Sequence, residues 1–149
     1  MSLIYAQRNP FVCYLGPYPK DTAEPDENRF VHFYLYAEHI EREPLFIGST
    51  SLWFEKDIPV FCNLNVEEKF RGLRFANLLY QAGVNYLAAE TNYRVVRVEI
   101  SQKNASSQKT ALRNYFREVG RTGIHGALIV YERDVSALYA DMPFLPEVA

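Results

Sequence analysis

Lys69, Arg71, Gly72 and Arg74 crowd into six residues, together with Leu73 between them. The apolar run 59–66 (PVFCNLNV) precedes this group and reads as a strand. Phe75, Leu78, Leu79, Ala82, Tyr86 and Ala89 follow it at helical spacing, predicting a helix over about 71–91. A strand that enters a basic, glycine-containing turn at a helix N-terminus is suited to holding phosphate. Free backbone N–H groups point outward there, the helix dipole favours negative charge, and arginine adds charge-assisted hydrogen bonds. The competing reading is a plain strand–turn–helix with a solvated basic turn.

Charge points the same way. Residues 69–121 hold ten Lys/Arg against three acids, a balance of +7 inside a chain whose net charge is −2, leaving −9 elsewhere. Such asymmetry suits an anionic ligand on one side, either a phosphorylated small molecule or nucleic acid; a solvated basic face is the plain alternative. Lys109, Arg113, Arg117 and Arg121 recur every four residues and predict one basic stripe on a second helix. Aromatic residues do not interleave with it as a base-stacking platform requires, so nucleic acid is the weaker candidate.

The surrounding elements are legible from pattern. Phe11 to Leu15 reads as a first strand, and the proline-rich acidic stretch 16–28 as a loop. An aromatic alternating strand over 29–38 pairs with one over 45–54 across a turn at 41–44. Residues 94–101 form a β-branched strand. Asn104 is suited to N-cap the second helix and Gly120 to end it, and 127–133 is the last clear strand, before an irregular tail over 141–146. Gly83 inside the first helix is expected to permit close packing. The order β, loop, β-β-β, α, β, α, β predicts a mixed, mostly antiparallel α+β sheet with helices on its faces, in one domain over 1–149. No 18-residue apolar run is present, so no membrane helix is expected, and the first residues lack a signal-peptide layout. Cys13 and Cys62 read as buried free thiols, fitting a reducing cytoplasm; no Cys/His spacing suggests a metal, and His32, His39 and His125 read as structural or surface residues.

The turn Arg71-Gly-Leu-Arg-Phe-Ala76 resembles motif A of the GNAT superfamily of N-acetyltransferases, Gln/Arg-x-x-Gly-x-Gly/Ala. Arg74 stands where the family has its central glycine. A second register begins the motif at Lys69, with Gly72 at its centre. The stretch around Asn104 and Ser107 resembles the start of the family's motif B, and the match extends over about 29–134 by element order. The resemblance implies a GNAT-like mixed sheet with helices on both faces, and a helical pair after the first strand reduced to the loop at 16–28. It implies acetyl-CoA as co-substrate, held by Leu64, Val66, Arg71, Gly72, Leu73, Arg74, Phe75, Ala76, Asn104 and Ser107. The acceptor would be an amine on a small molecule or protein. The family's proton-donating tyrosine would be Tyr115 counting from Ala111, whereas counting back from Gly120 reaches Phe116 instead. For a general base, Glu99 in mid-strand is the candidate, with an ion pair to Arg97 or a neighbouring arginine as the structural alternative. Three functions are open: an acetyl-CoA-dependent N-acetyltransferase, a catalytically inactive protein of the same fold, and a binder of anionic partners. A homodimer is compatible with the exposed strand edges.

Overall fold

The computed structural model describes residues 4–16, 30–38, 41–54 and 57–135. Their elements run β1 (Ile4–Arg8), β2 (Phe11–Leu15), β3 (Phe30–Ala37), β4 (Leu45–Trp53), β5 (Val60–Val66), a 3-10 turn (Glu68–Phe70), α1 (Ala76–Glu90), β6 (Val95–Ser101), α2 (Ala105–Arg113), β7 (Arg117–Thr122), a second 3-10 turn (Ile124–Gly126) and β8 (Leu128–Asp134). The eight strands form one sheet in the order β1-β2-β3-β4-β5-β6-β8-β7. Every neighbouring pair is antiparallel except β5 and β6, which run parallel. The mixed, mostly antiparallel sheet expected from the element order is therefore present. The loop expected at 16–28 and the tail at 141–146 lie outside the described residues, save Gly16.

Three features differ from the expectations. The N-terminal segment adds β1, paired to β2 as an edge hairpin. The second helix stops at Arg113, well short of Gly120. Asn114 caps it, Tyr115 takes a left-handed φ of 68°, and Phe116 turns inward to 3% exposure. The chain then forms β7, so Gly120 pairs with Val130 instead of ending a helix. Lys109 and Arg113 lie on α2 but Arg117 and Arg121 on β7, so the four-residue basic stripe does not exist. The helix stops where Tyr115 turns left-handed and an apolar Phe116 is drawn into the core, signals weaker than a glycine.

Helices were expected on both faces, but the two described ones share a single face. Phe11, Cys13, Phe33, Leu35, Leu52, Phe61, Val96, Val98, Ile100, Ile129 and Tyr131 from the sheet join Leu78, Leu79, Tyr80, Leu87, Ala111 and Phe116 in one buried cluster. Asn114 ties the helices together: its amide donates to Asn77 Oδ1 at 2.8 Å and to the Thr110 carbonyl at 2.8 Å. Arg133, 2% exposed, donates to the Asn114 carbonyl at 3.0 Å, satisfying the end of α2 from β8. Among the described residues the opposite face carries no helix.

Gly83 permits the close packing expected of it, since a Cβ there would sit 2.3 Å from the Phe61 ring. Phe61 is itself held edge-on by Tyr80 at 5.0 Å and by Phe116 at 6.2 Å, so the ring has little room to yield. Overpacking a core costs about 1–3 kcal/mol, against about 1 kcal/mol returned by alanine's helix propensity. Gly83→Ala is therefore expected to lower stability by a net of about 1 kcal/mol, read as a shift of the urea unfolding midpoint at unchanged slope.

Candidate functional site

Strands β5 and β6 pair over only two positions, Val60 with Arg97 and Phe61 with Val98. Beyond them the strands part, and β5 bulges. Ser51 faces Cys62 and Ser49 faces Asn65, so two β5 residues oppose Thr50 alone. Asn63 supplies the bulge with a φ of 55°, a left-handed conformation that asparagine accepts more readily than most residues. The Thr50 hydroxyl donates to the Cys62 carbonyl at 3.2 Å, satisfying a group the bulge frees from the ladder.

The parting strands open a cleft of about 620 Å³ on the helix side. One wall is the diverging end of β5 at Leu64, Asn65 and Val66; the other is α2 with Asn104, Ser107, Thr110 and Arg113; α1 and its approach turn close the mouth. Of the residues expected to bind cofactor, Leu64, Val66, Arg71, Gly72, Arg74, Phe75, Ala76, Asn104 and Ser107 all line this cleft. Leu73 does not. It is half-buried and packs against the core.

The approach turn explains the departure from the family motif. Gly72 has a φ of 80° and Arg74 a φ of 66°. Arg74 thus adopts the left-handed backbone that a glycine would take at lower cost, with its exposed side chain at the cleft. Arg71 donates through Nε to the Val66 carbonyl at 2.9 Å, which braces the turn. The first turn of α1 has neither a side-chain cap nor an acidic residue; its Asn77 and Leu78 N–H groups donate to the Arg74 and Phe75 carbonyls, each at 3.1 Å, so the helix dipole and the flanking arginines carry the attraction for an anion. Arg113 lines the same cleft; its sequence signal is its place in the four-residue basic spacing with Lys109, Arg117 and Arg121, of which it alone lines the cleft. Asn104 caps α2 as expected, accepting from the Ser107 N–H at 3.1 Å.

The expected acid–base residues lie elsewhere. Tyr115 is 56% exposed beyond the end of α2, its ring 5.9 Å from the Arg133 guanidinium, and it does not line the cleft. Phe116 is core. Tyr80 is the phenol that lines the cleft among the described residues, and sequence reasoning missed it because it sits on α1 among core positions. Glu99 is half-buried on β6, facing away from the helices with Arg97. The ion pair with Arg97 considered for it does not form: Arg97 binds Glu132 instead, through Nη2 at 2.6 Å and Nε at 3.0 Å. Among the described residues no cluster of His, Cys, Asp and Glu is arranged for a metal, and no helix is long and apolar enough to cross a membrane.

Both thiols are free. Burial pushes the Cys62 thiol up, and pushes that of fully buried Cys13 far higher. Less thiolate is then present at neutral pH, so Cys62 should alkylate with iodoacetamide more slowly than a cysteine in a peptide. Its rate should go on rising above the pH at which the peptide's levels off. Cys13 should react only after unfolding, as read by mass spectrometry.

No family model matches the chain, and no curated protein is detectably similar to it in sequence. Solved structures are similar in fold. Spermidine N-acetyltransferase from Vibrio cholerae, in complex with CoA and spermine, superposes with a TM-score of 0.62 at 15% identity over 74% of this chain and 69% of its own. Arabidopsis thaliana NAA60 with a bisubstrate analogue gives 0.58 at 17% identity over 71% and 75%. The PaiA N-acetyltransferase from Thermoplasma acidophilum in complex with coenzyme A gives 0.60 at 11% identity over 71% and 61%. The chain has the GNAT fold.

Proposed function

We propose that this protein is an acyl-CoA-dependent N-acetyltransferase that moves an acetyl group from acetyl-CoA to an amine. The observation that carries the reading is the coincidence of three features in one cleft: a basic turn at an uncapped helix N-terminus, a bulged strand, and a neighbouring strand that parts from it. The fold shared with N-acetyltransferases crystallised with CoA supports it.

Each part has a chemical task. Arg71, Arg74 and the N-terminal end of the α1 dipole take the pyrophosphate, with Arg113 as a third cation toward the phosphates. Leu64, left without a register partner by the bulge, and Val66 line the cleft, where the pantetheine amides can bond to β5; Asn104 and Ser107 face it from α2. A backbone N–H at the bulge donates to the thioester carbonyl, where charge develops as the amine adds. The nitrogen–carbon bond forms, the carbon–sulfur bond breaks, and the departing thiolate takes a proton. We assign that proton to Tyr80, since Tyr115 lies outside the cleft. To Glu99, on the side of β6 away from the described helices, we assign the holding of a cationic acceptor.

Calorimetric titration with acetyl-CoA tests the phosphate site. A charge-assisted hydrogen bond is worth about 1.5–3 kcal/mol, so Arg71→Ala and Arg74→Ala should each weaken binding roughly tenfold to a hundredfold. Absence of binding to the unaltered protein would sink the transferase reading; binding without CoA release for any amine would leave a cofactor-binding module. Arg74→Gly separates side chain from backbone. Glycine relieves the left-handed strain, so stability should rise by about 0.5–1 kcal/mol while affinity falls. Tighter binding in that variant would show that Arg74 obstructs the phosphates.

A further inference from the structure

We propose that Ser51 and His32 form a proton relay that takes the proton from the acceptor amine, on the sheet face opposite the cleft. The inference rests on the transferase reading above. It begins from strand register. His32 on β3 faces Ser51 on β4, and Ser51 faces Cys62 on β5, the last paired residue before the bulge. Residues directly opposite in antiparallel strands point to the same side, so the three side chains form one row across the sheet. The row points away from the helices, because Val60 and Cys62 alternate with Phe61, which is in the core. Continued by register from Val60 and Arg97, the row would reach Glu99 across the gap.

A thioester whose pantetheine enters between β5 and β6 from the helix side presents its carbonyl at the bulge. The amine must then approach from the other face, beside Cys62. Ser51 lies one strand spacing away, about 4.8 Å. Its hydroxyl is 2.7 Å from His32 Nδ1, and Ser51 is only 6% exposed. The imidazole is half-buried, and Phe30 stacks on it at 6.0 Å with the planes 6° apart. Trp53 stacks in turn on Phe30 at 6.4 Å, so the ring is held in place from one side. The hydrogen bond that His32 makes among the described residues is through Nδ1.

The step balances. As nitrogen bonds to the acyl carbon it gives a proton to Ser51 Oγ, while the Ser51 proton passes to His32 Nδ1. The carbon–sulfur electron pair goes to sulfur; the imidazolium then passes its Nδ1 proton back through Ser51 Oγ to water once the product has left, which restores the bare Nδ1 for the next turnover. Imidazole can accept a proton and return it within one turnover. Cys62 does not compete as a nucleophile, since burial keeps its thiol protonated. A carboxylate at Glu99 attracts the ammonium form of the acceptor, while the relay receives the proton.

Acetyl-CoA and a panel of primary amines, beginning with spermidine, give the assay, with CoA release as the readout. The relay predicts that Ser51→Ala and His32→Gln each lower kcat about 10²–10⁴-fold. The Kd for acetyl-CoA should stay within about twofold, and the double variant should be no worse than either single one, as expected of groups acting as a unit. Ser51→Thr, which keeps the hydroxyl, should retain most activity, and added imidazole should restore part of kcat to His32→Ala but none to Ser51→Ala. If either His32 variant melts early, the Ser51→Thr and Ser51→Ala pair decides alone. Loss of kcat confined to Glu99→Gln, with His32 and Ser51 variants unaffected, overturns the relay and leaves the transferase intact. No turnover of any amine by the unaltered protein overturns both.

Discussion

Strands β5 and β6 hold each other through only two register pairs, and the rest of the candidate site depends on that brevity. A longer ladder would zip the diverging end of β5 to β6 and close the cleft; no ladder would split the sheet at the one parallel junction among the described strands. The junction survives because both sides are pinned. On the helix side Phe61 is wedged by Tyr80 and Phe116, with Gly83 leaving room for its ring. On the other side Arg97 is bound to Glu132 of β8. The left-handed Asn63 then turns β5 away from its neighbour. The cleft of about 620 Å³ lies against the stretch of β5 that has no register partner on β6, so a hydrogen-bonding ligand can take the place that a longer ladder would have filled.

The two helices meet this junction from one side and are tied to each other by buried polar contacts as well as by the shared apolar core. Asn77, Asn114 and Arg133 are nearly fully buried and connect α1, the end of α2 and β8. Such contacts have direction, unlike apolar packing, so they fix how the end of α2 lies against the start of α1. Those two ends carry Arg113 and Arg74. The buried amides therefore set the separation of cations that flank the cleft mouth, although they touch no ligand themselves.

Much of this was legible in the chain. The basic turn, the strand before it and the helix after it follow from periodicity and residue type, and Asn104 announces its own cap. Elements failed to show where the signal was tertiary. The end of α2 depends on Phe116 finding Phe61 and Tyr80, contacts of high sequence separation that no local pattern encodes, so the four-residue spacing of Lys109, Arg113, Arg117 and Arg121 mimicked a helix. Strand β1 exists because β2 offers it an edge. Tyr80 reads as one more apolar position of α1 until the cleft shows which side of it is wet. His32 looked isolated for the same reason: its partner Ser51 is nineteen residues away and is brought opposite only by the hairpin.

Arg74 shows how the turn can diverge without losing its shape. A left-handed residue other than glycine costs roughly 1–2 kcal/mol, and marginally stable proteins have little stability to spare. The chain nevertheless keeps the left-handed backbone at this point and places a guanidinium on it, facing the cleft. Glycine at this position would let backbone N–H groups close on the phosphates. Arginine gives up some of that close approach and adds a charged fork that reaches further, suited to the same anion from a greater distance. With Arg71 occupied in part by the Val66 carbonyl, the cation at position 74 replaces charge that bracing the turn withdraws. On that account the missing glycine marks a different division of labour between backbone and side chain at the phosphate turn, and the mouth of the cleft retains its positive character.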